Sequence, residues 1–535
     1  MMKEGLSMGK VVGIDLGTTF SAVSYIDKSG NAQIIPNRDG ENITPSTVLF
    51  DDDEVIVGKQ AKKSAFLHPD NYESFAKRHM GERDYHFVSG SGEKYSAEAI
   101  SAIILKKLKA DAEANLGDTI DGAVITVPAF FSDVQRTSTM DAAKMAGINT
   151  LAIINEPTAA ALAYGISKGS SEPKTVLVYD LGGGTFDVTI IKFTENEIEP
   201  LATDGNRQLG GFDFDNKIVD YVIEEAKKQG LDINKDAKAR QALQNEAEEA
   251  KKTLSERKKA EISLYICGQP FDVTITRDQF ESMISSLLFR TINVMESAME
   301  EAGLEYSDLD KILLVGGSTR IPAVAKSIEE ETGIKPSQDI HPDEAVAIGA
   351  AFYAVDIAKK NPNSVNYQNT GGNNAGGTFC PPSTDLPDNV ESYQFRDITA
   401  HGIGVVIIDD VLGEEVNSVI LPKNTKVPAE FRNQYVTTID YQESILLQVT
   451  QGEDTELRYV TIIGEAELKL KPKPANSPIE VIISCDSDSI IHVRVIDLVT
   501  NEDLGEMKID RVNNLSDQEV QKEANRLGKL NIGDE

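Results

Sequence analysis

The chain has 535 residues, with 53 Lys and Arg against 86 Asp and Glu, a formal net charge of −33 and a pI near 4.6. Such a length exceeds one ordinary core and points to several domains. The acidic balance excludes an extended nucleic-acid surface or one held to anionic lipid, since both need clustered Lys and Arg. No apolar run approaches the roughly 20 residues of a membrane span, and Met1 to Lys10 lacks the apolar stretch of a secretory leader. Three separated cysteines (Cys267, Cys380, Cys485) and six scattered histidines form neither a disulfide framework nor a metal-ligand pair. A cytoplasmic, reduced-compartment protein without nucleic-acid or membrane partners, mainly a monomer, is expected.

In chain order, Val11 to Asp15 reads as an apolar strand that ends in a carboxylate, followed by the turn Gly17-Thr18-Thr19 and a second strand from Ala22 to Ile26. The plan recurs later, where Val176 to Tyr179 runs into Asp180, then Gly182-Gly183-Gly184-Thr185, and Asp187 opens the strand Val188 to Ile191. β-rich runs on both sides of a glycine turn signal a hairpin, and a repeated hairpin suggests two similar lobes. Helical periodicity covers Ser96 to Asn115, Ala237 to Leu254 and Asp343 to Lys359. Strands alternating with helices indicate an α/β architecture. Leu313 to Val315 leads into a third glycine turn, Gly316-Gly317-Ser318-Thr319-Arg320, which is expected to open a helix facing the ligand.

Composition changes after Lys360. Residues 361–396 hold Gly371-Gly372, Gly376-Gly377 and Pro381-Pro382 with few apolar side chains, the composition of a flexible linker. Beyond it come short strands punctuated by turns: Ile403 to Ile408, Tyr435 to Ile439, Ile445 to Thr450, Ile479 to Ser484 and Ile490 to Ile496. These make a compact all-β domain over 397–512. Residues 513–535 form a polar tail with one short helical pattern opened by Ser516.

A glycine turn between strands exposes backbone N–H groups that can cradle phosphate oxygens. Two such turns face to face could clamp a polyphosphate. Asp15, Asp180 and Asp187 would then stand near it, where bare carboxylates repel it unless a cation such as hydrated Mg²⁺ intervenes.

The motifs Gly13-Ile14-Asp15-Leu16-Gly17-Thr18-Thr19, Ile154-Asn155-Glu156-Pro157-Thr158 and Asp180 to Asp187 resemble the ATPase domain of the DnaK-type heat-shock chaperones, the 70-kDa class of the actin and sugar-kinase superfamily. Val127 to Phe131, Gly316 to Pro322 and Pro342 to Ala347 match in the same order, and the likeness runs from about Lys10 to Val512. It implies a two-lobed, actin-like α/β ATPase domain over 1–360 with a duplicated RNase-H-like core. A peptide-binding β-sandwich and a truncated helical lid would follow. The short, lid-poor members typified by HscC look closest.

Position by position, the resemblance implies phosphate contacts for Thr18, Thr19 and Thr185, with Gly182, Gly183, Gly184, Gly210 and Gly211 allowing close backbone approach. Asp15 and Asp180 would flank hydrated Mg²⁺, with K⁺ nearby. Glu156 and Asp187 would orient the attacking water, and Lys77 would meet the γ-phosphate, making Lys77, Glu156, Asp187 and Thr185 the catalytic set. Glu248, Lys251, Lys252 and Ser255 would receive the nucleoside, with Gly316, Gly317, Ser318, Arg320 and Asp343 opposite. Pro128 and Arg136 match the pair that couples nucleotide to the second domain. Two departures concern the cleft: Lys252 replaces an arginine, and Gln208 and Phe212 stand where the family usually has histidine and glutamate.

In the β domain the register implied by Leu421 to Pro428 and Val449 to Glu453 puts Ile445 at a hydrophobic pocket, Val405 and Leu447 beside it, and Ile408 and Thr438 arching over an extended peptide. The linker departs from the family's run of leucines, with Arg396 interrupting Tyr393-Gln394-Phe395. The implied function is an ATP-dependent chaperone that binds exposed hydrophobic peptide and works with a J-domain co-chaperone and a nucleotide-exchange factor. The alternative is an ATP-binding regulator that assists a partner chaperone with little turnover.

Overall fold

A computed structural model describes residues 10–51, 54–168, 174–194, 197–361, 364, 394–395, 397–409, 413–486, 490–509 and 514–532. Most of the expected linker, with Arg396, Tyr393 and Cys380, lies outside these residues.

β1 (Lys10–Asp15) and β2 (Phe20–Ile26) form the first expected hairpin, with Ile14 opposite Val23 and Asp15 opposite Ala22. β3 (Ala32–Ile34) extends the antiparallel run, while β4 (Ile120–Val127) and β5 (Thr150–Asn155) join β1 in parallel, giving the order β5-β4-β1-β2-β3. The second hairpin, β6 (Lys174–Leu181) with β7 (Phe186–Phe193), repeats the plan. β8 (Glu197–Asn206) extends its antiparallel run, and β9 (Lys311–Val315) pairs with β6 in parallel. The first strand of each hairpin is apolar almost throughout because helices cover both faces of its sheet: Val12, Ile14, Val176 and Val178 are all fully buried.

Helices α1 (Ala97–Leu116) and α2 (Asp133–Met145) belong to the first lobe, α3 (Glu156–Lys168) packs against both sheets, and α4 (Gly211–Lys228) and α5 (Ala237–Glu256) belong to the second lobe. The Ser96 hydroxyl caps α1 by accepting the Ala99 amide at 3.2 Å. α6 (Ala345–Lys360) lies between the lobes, where Ala350 and Ala351 share one core with Val11 and Val124 of the first sheet and Val176 and Val178 of the second.

The C-terminal region is a sandwich of two four-stranded antiparallel sheets. β11 (Ile403–Ile408), β12 (Glu415–Leu421), β14 (Ser444–Gln451) and β15 (Thr461–Lys469) form one, in the order β12-β11-β14-β15. β13 (Ala429–Val436), β16 (Pro478–Cys485), β17 (Ile491–Asp497) and β18 (Glu502–Ile509) form the other, in that order. The strand expected at 435–439 is thus displaced: it occupies 429–436, and the chain turns away at Thr437. Six of its eight residues are exposed, four of them polar or charged in Glu430, Arg432, Asn433 and Gln434, so it carries no apolar run for a sequence reading to find.

Two attachments were not foreseen. Gln394–Phe395 is no free linker but a short strand, β10, in parallel with β8 at the edge of the second lobe's sheet. The polar tail forms α7 (Asp517–Leu527), capped by Ser516 as expected, but it packs on the first lobe. Val520 and Leu527 are fully buried in the same core as Ile100 and Ile103. Asn514 donates to the Val134 carbonyl at 2.7 Å and to Ser138 Oγ at 2.9 Å, and the Val55 amide reaches the Asn531 carbonyl at 2.8 Å.

The sandwich is seated on both lobes. Lys423 Nζ lies 2.8 Å from Glu301 and 3.6 Å from Asp204, and Lys426 pairs with Glu199. Asn424 Oδ1 accepts the Thr203 amide at 3.1 Å, while Asn424 Nδ2 donates to Glu301 at 2.7 Å. On the first lobe, Asn155 Nδ2 donates to Asp397 at 3.0 Å, and His401 Nε2 is 3.2 Å from the Phe130 carbonyl.

A candidate nucleotide cleft between the two lobes

The ends of β1 and β6 bring the two glycine turns into contact. A Cβ at Gly183 would collide with the Thr19 side chain, and one at Gly184 with Thr18, so only glycine lets the turns close on each other. Gly316 (φ +82°) brings the third turn against the backbone of Leu181. This third turn differs from expectation. Residues Gly317–Arg320 form a single 3₁₀ turn, and the helix Pro322–Thr332 begins only after it, at the proline. The groups at the cavity wall therefore belong to the turn and not to a helix N-terminus.

Between these turns lies a cavity of about 940 Å³, within the range of small-molecule and cofactor sites. Of the residues singled out from sequence, Asp15, Thr18, Thr19, Lys77, Glu156, Asp180, Gly182, Gly183 and Thr185 line it around the phosphate turns. Glu248, Lys251, Lys252 and Ser255 line it from α5, with Gly316, Gly317, Ser318, Arg320 and Asp343 from the third turn and beyond. Gly184, Gly210, Gly211 and Asp187 stand one layer back: Gly210 packs on Gly183 and Gly184, Gly211 on Ser318, and Asp187 is 1% exposed. Val346, inside the motif Pro342 to Ala347, also lines the cavity, as do Phe20, Asn42 and Gln338, which carried no sequence signal beyond proximity to motifs.

The floor is crowded with carboxyls. Lys77, 5% exposed, extends Nζ to Glu156 Oε1 at 2.6 Å. Burial, with the Glu156 charge adding to it, pushes the Asp15 carboxyl up to about 7 against the pull of Lys77 and a 3.0 Å hydrogen bond from Thr126. Burial also raises Asp180 well above the carboxylate range, helped by Glu156, Asp187 and Asp15. Asp187 is pushed to about 7 by burial and then Glu156, although it accepts the Phe130 amide at 2.9 Å. Four acids thus share the nearby ammonium of Lys77. Among the described residues no three acidic, His or Cys side chains converge into a cage for an ion. Acidic groups that crowd without converging fit a cation held through its water shell.

The mouth of the cleft is balanced differently. Burial alone would raise Glu248, but Lys62, Lys252 and Lys251 overcome it and hold its carboxyl down at about 2. Lys252 Nζ reaches both Glu248 and Glu249 at 2.8 Å and sits 5.2 Å from the Phe20 ring centroid. Lys251 pairs with Asp215 at 2.8 Å, and Arg320 with Asp343 at 2.5 Å.

Of the two expected coupling residues, Arg136 lies beside the contact between the first lobe and the sandwich. Arg136 donates to the Ala129 carbonyl at 3.3 Å and to Asn155 Oδ1 at 2.5 Å, and Asn155 holds Asp397. Asn155 directly precedes Glu156, the partner of Lys77. In the sandwich, Val405 and Leu447 are buried core residues, Ile445 is half-buried, and Ile408 and Thr438 are exposed.

A family model described as Hsp70 protein matches residues 11–364 and 382–534. Two proteins described as chaperone protein DnaK, from Thermotoga petrophila and from Thermotoga sp. strain RQ2, are each 40% identical over 523 residues, covering 96% of this chain and 82% of the relative. No helix among the described residues is long and apolar enough to cross a membrane.

Proposed function

This chain belongs to the Hsp70 family of ATP-binding chaperones, and from that premise we propose that it hydrolyses MgATP in the interlobe cleft to control how its sandwich holds extended hydrophobic peptide. The observation that carries the reading is the cleft floor, where facing phosphate turns surround Lys77 and a crowd of buried acids.

Thr18, Thr19 and Thr185 bind the phosphates with hydroxyl and amide groups. Asp15 and Asp180 would hold a hydrated Mg²⁺, which would supply neutralising charge between phosphates and acids, and K⁺ would be a second cation of the site. Lys77 offsets the negative charge that develops on the transferring phosphoryl group. Glu156 orients the attacking water from the cavity wall, and Asp187 supports it from behind while fixing Phe130. Glu248, Lys251 and Ser255 receive the nucleoside. Lys252, occupied by two glutamates, stacks less well than the guanidinium that it replaces.

In the sandwich, Ile445 forms the pocket for one apolar side chain, over the buried floor of Val405 and Leu447, with Ile408 and Thr438 at its rim. Pro128, Arg136 and Asn155 link this domain to the cleft. A J-domain co-chaperone and a nucleotide-exchange factor are the partners that such a cycle needs.

Single-turnover hydrolysis of labelled ATP, with and without an unfolded peptide, tests the reading. The wild-type chain is expected to turn over slowly and to accelerate with peptide, while Lys77→Ala loses at least tenfold, about 1.4 kcal/mol or more, at nearly unchanged affinity. No turnover under either condition would favour the regulator that assists another chaperone.

A further inference from the structure

Phe212 does not line the cleft and stands where the family usually has glutamate, yet it joins the two lobes beside the cleft floor. Its amide donates to the Gly183 carbonyl at 2.7 Å, next to the Gly211 amide on the Gly182 carbonyl at 3.0 Å. The backbone is thereby fixed to the second phosphate turn. Its ring crosses to the first lobe, with a centroid 4.3 Å from that of Phe75. The Arg78 guanidinium lies 5.0 Å from the same ring and 3.3 Å from Asp213.

Phe75 is the first-lobe end of this bridge. Its φ of +65° puts it in the left-handed region, which a bulky side chain adopts only where neighbours impose it. It immediately precedes the 3₁₀ turn Ala76–His79 that carries Lys77. The chain is thus bent into an unfavourable conformation two residues before the ammonium, and the ring resting on the bend comes from the opposite lobe.

We infer that Phe212 is a positioning residue for Lys77: packed on Phe75 when the lobes are closed, it holds the left-handed turn that aims the ammonium at the reacting phosphate. The inference rests on the proposed catalytic role of Lys77. It makes lobe closure a condition of correct aim, because the ring and the bend meet only across the cleft.

The test uses the full chain and single-turnover hydrolysis at saturating MgATP, with ATP affinity measured in parallel. Phe212→Ala is expected to slow hydrolysis at least fivefold with affinity within threefold, since no cavity-lining group is lost, and Phe212→Tyr to return the rate to within twofold. In a Lys77→Ala background the same substitution should change the rate less than twofold. If Lys77→Ala is slow while Phe212→Ala runs at the wild-type rate, the positioning role is overturned and the catalytic role of Lys77 stands. If Lys77→Ala itself runs at the wild-type rate, both fall. An undiminished Phe212→Ala effect in the Lys77→Ala background also overturns the inference. Should Phe212→Ala fail to fold, Phe212→Leu, which keeps bulk without the ring, is expected to lose at least threefold, and a wild-type rate there overturns it.

Discussion

The cleft floor and the seat of the sandwich are both polar interfaces, yet their charge is arranged in opposite ways. At the floor Asp15, Asp180, Asp187 and Glu156 crowd around Lys77, and burial and mutual repulsion raise three of the four acids. On the second-lobe side of the seat the charges meet their complements: Lys423 with Glu301 and Asp204, and Lys426 with Glu199. An interface that needs nothing more is built to hold, and one with surplus like charge is built to receive something of opposite charge. Satisfaction of charge thus separates that side of the seat from the floor.

The largest effect should come from leaving the floor incomplete. Unshielded acids at contact distance from phosphate repel it by several kcal/mol at a protein-like dielectric. Replacing Mg²⁺ by EDTA is therefore expected to weaken ATP binding on the order of a hundredfold, about 2.7 kcal/mol, in calorimetric titration. Equal affinity in both buffers would mean that the floor carries protons instead of needing a cation.

At the seat, removal of one partner should loosen what is otherwise complete. Lys423→Ala leaves Glu301 and Asp204 facing each other without their cation, at a cost of about 1–2 kcal/mol. The Thr203 amide, whose acceptor is Asn424 of the sandwich, reports the loss directly. Its hydrogen exchange should rise about five- to thirtyfold, and unchanged protection would show that the salt bridge does not hold the domains together.

A smaller effect concerns His401. Burial holds its imidazole down at about 3, helped by Arg207, Lys423 and Arg136 and opposed by the Phe130 carbonyl, with Asp133, Asp397 and Cys485 around the same interface. A histidine kept neutral in the folded state stabilises fully above its unfolded value of about 6.5 and loses that contribution as pH falls below it. Against His401→Leu, which removes this titration while the other groups remain, the wild type should lose about 1.4 kcal/mol by one unit below 6.5. Melting curves of the two chains that stay parallel from pH 7.5 to 5.5 would contradict this.

The two regions also differed in how far the sequence revealed them. The floor was readable because its turns demand particular residues: Asp15 and Asp180 end apolar strands, and glycines follow where a Cβ would clash. The helix starts at Ser96 and Ser516 were readable for a similar local reason. The seat was not readable, since Lys423 and Asn424 look like any polar turn until Glu301 and Thr203 arrive from distant segments. The docking of α7 was hidden likewise. Val520 and Leu527 are the only two large apolar side chains of that helix, with small Ala524 between them, too thin a stripe to announce a buried face. The strand at 429–436 escaped because its exposed residues interrupt any apolar alternation.

Floor and seat are close in the chain: Asn155 holds Asp397 while its neighbour Glu156 holds Lys77, and Phe130 links Asp187 to His401. The central claim is that filling the floor changes what the seat holds, and so how the sandwich grips peptide. Its most direct test is the dissociation rate of a labelled hydrophobic peptide from the full chain in saturating ATP and in ADP, with Lys77→Ala keeping ATP intact. Release about three to ten times faster in ATP is predicted, and equal rates in the two nucleotides would contradict the account.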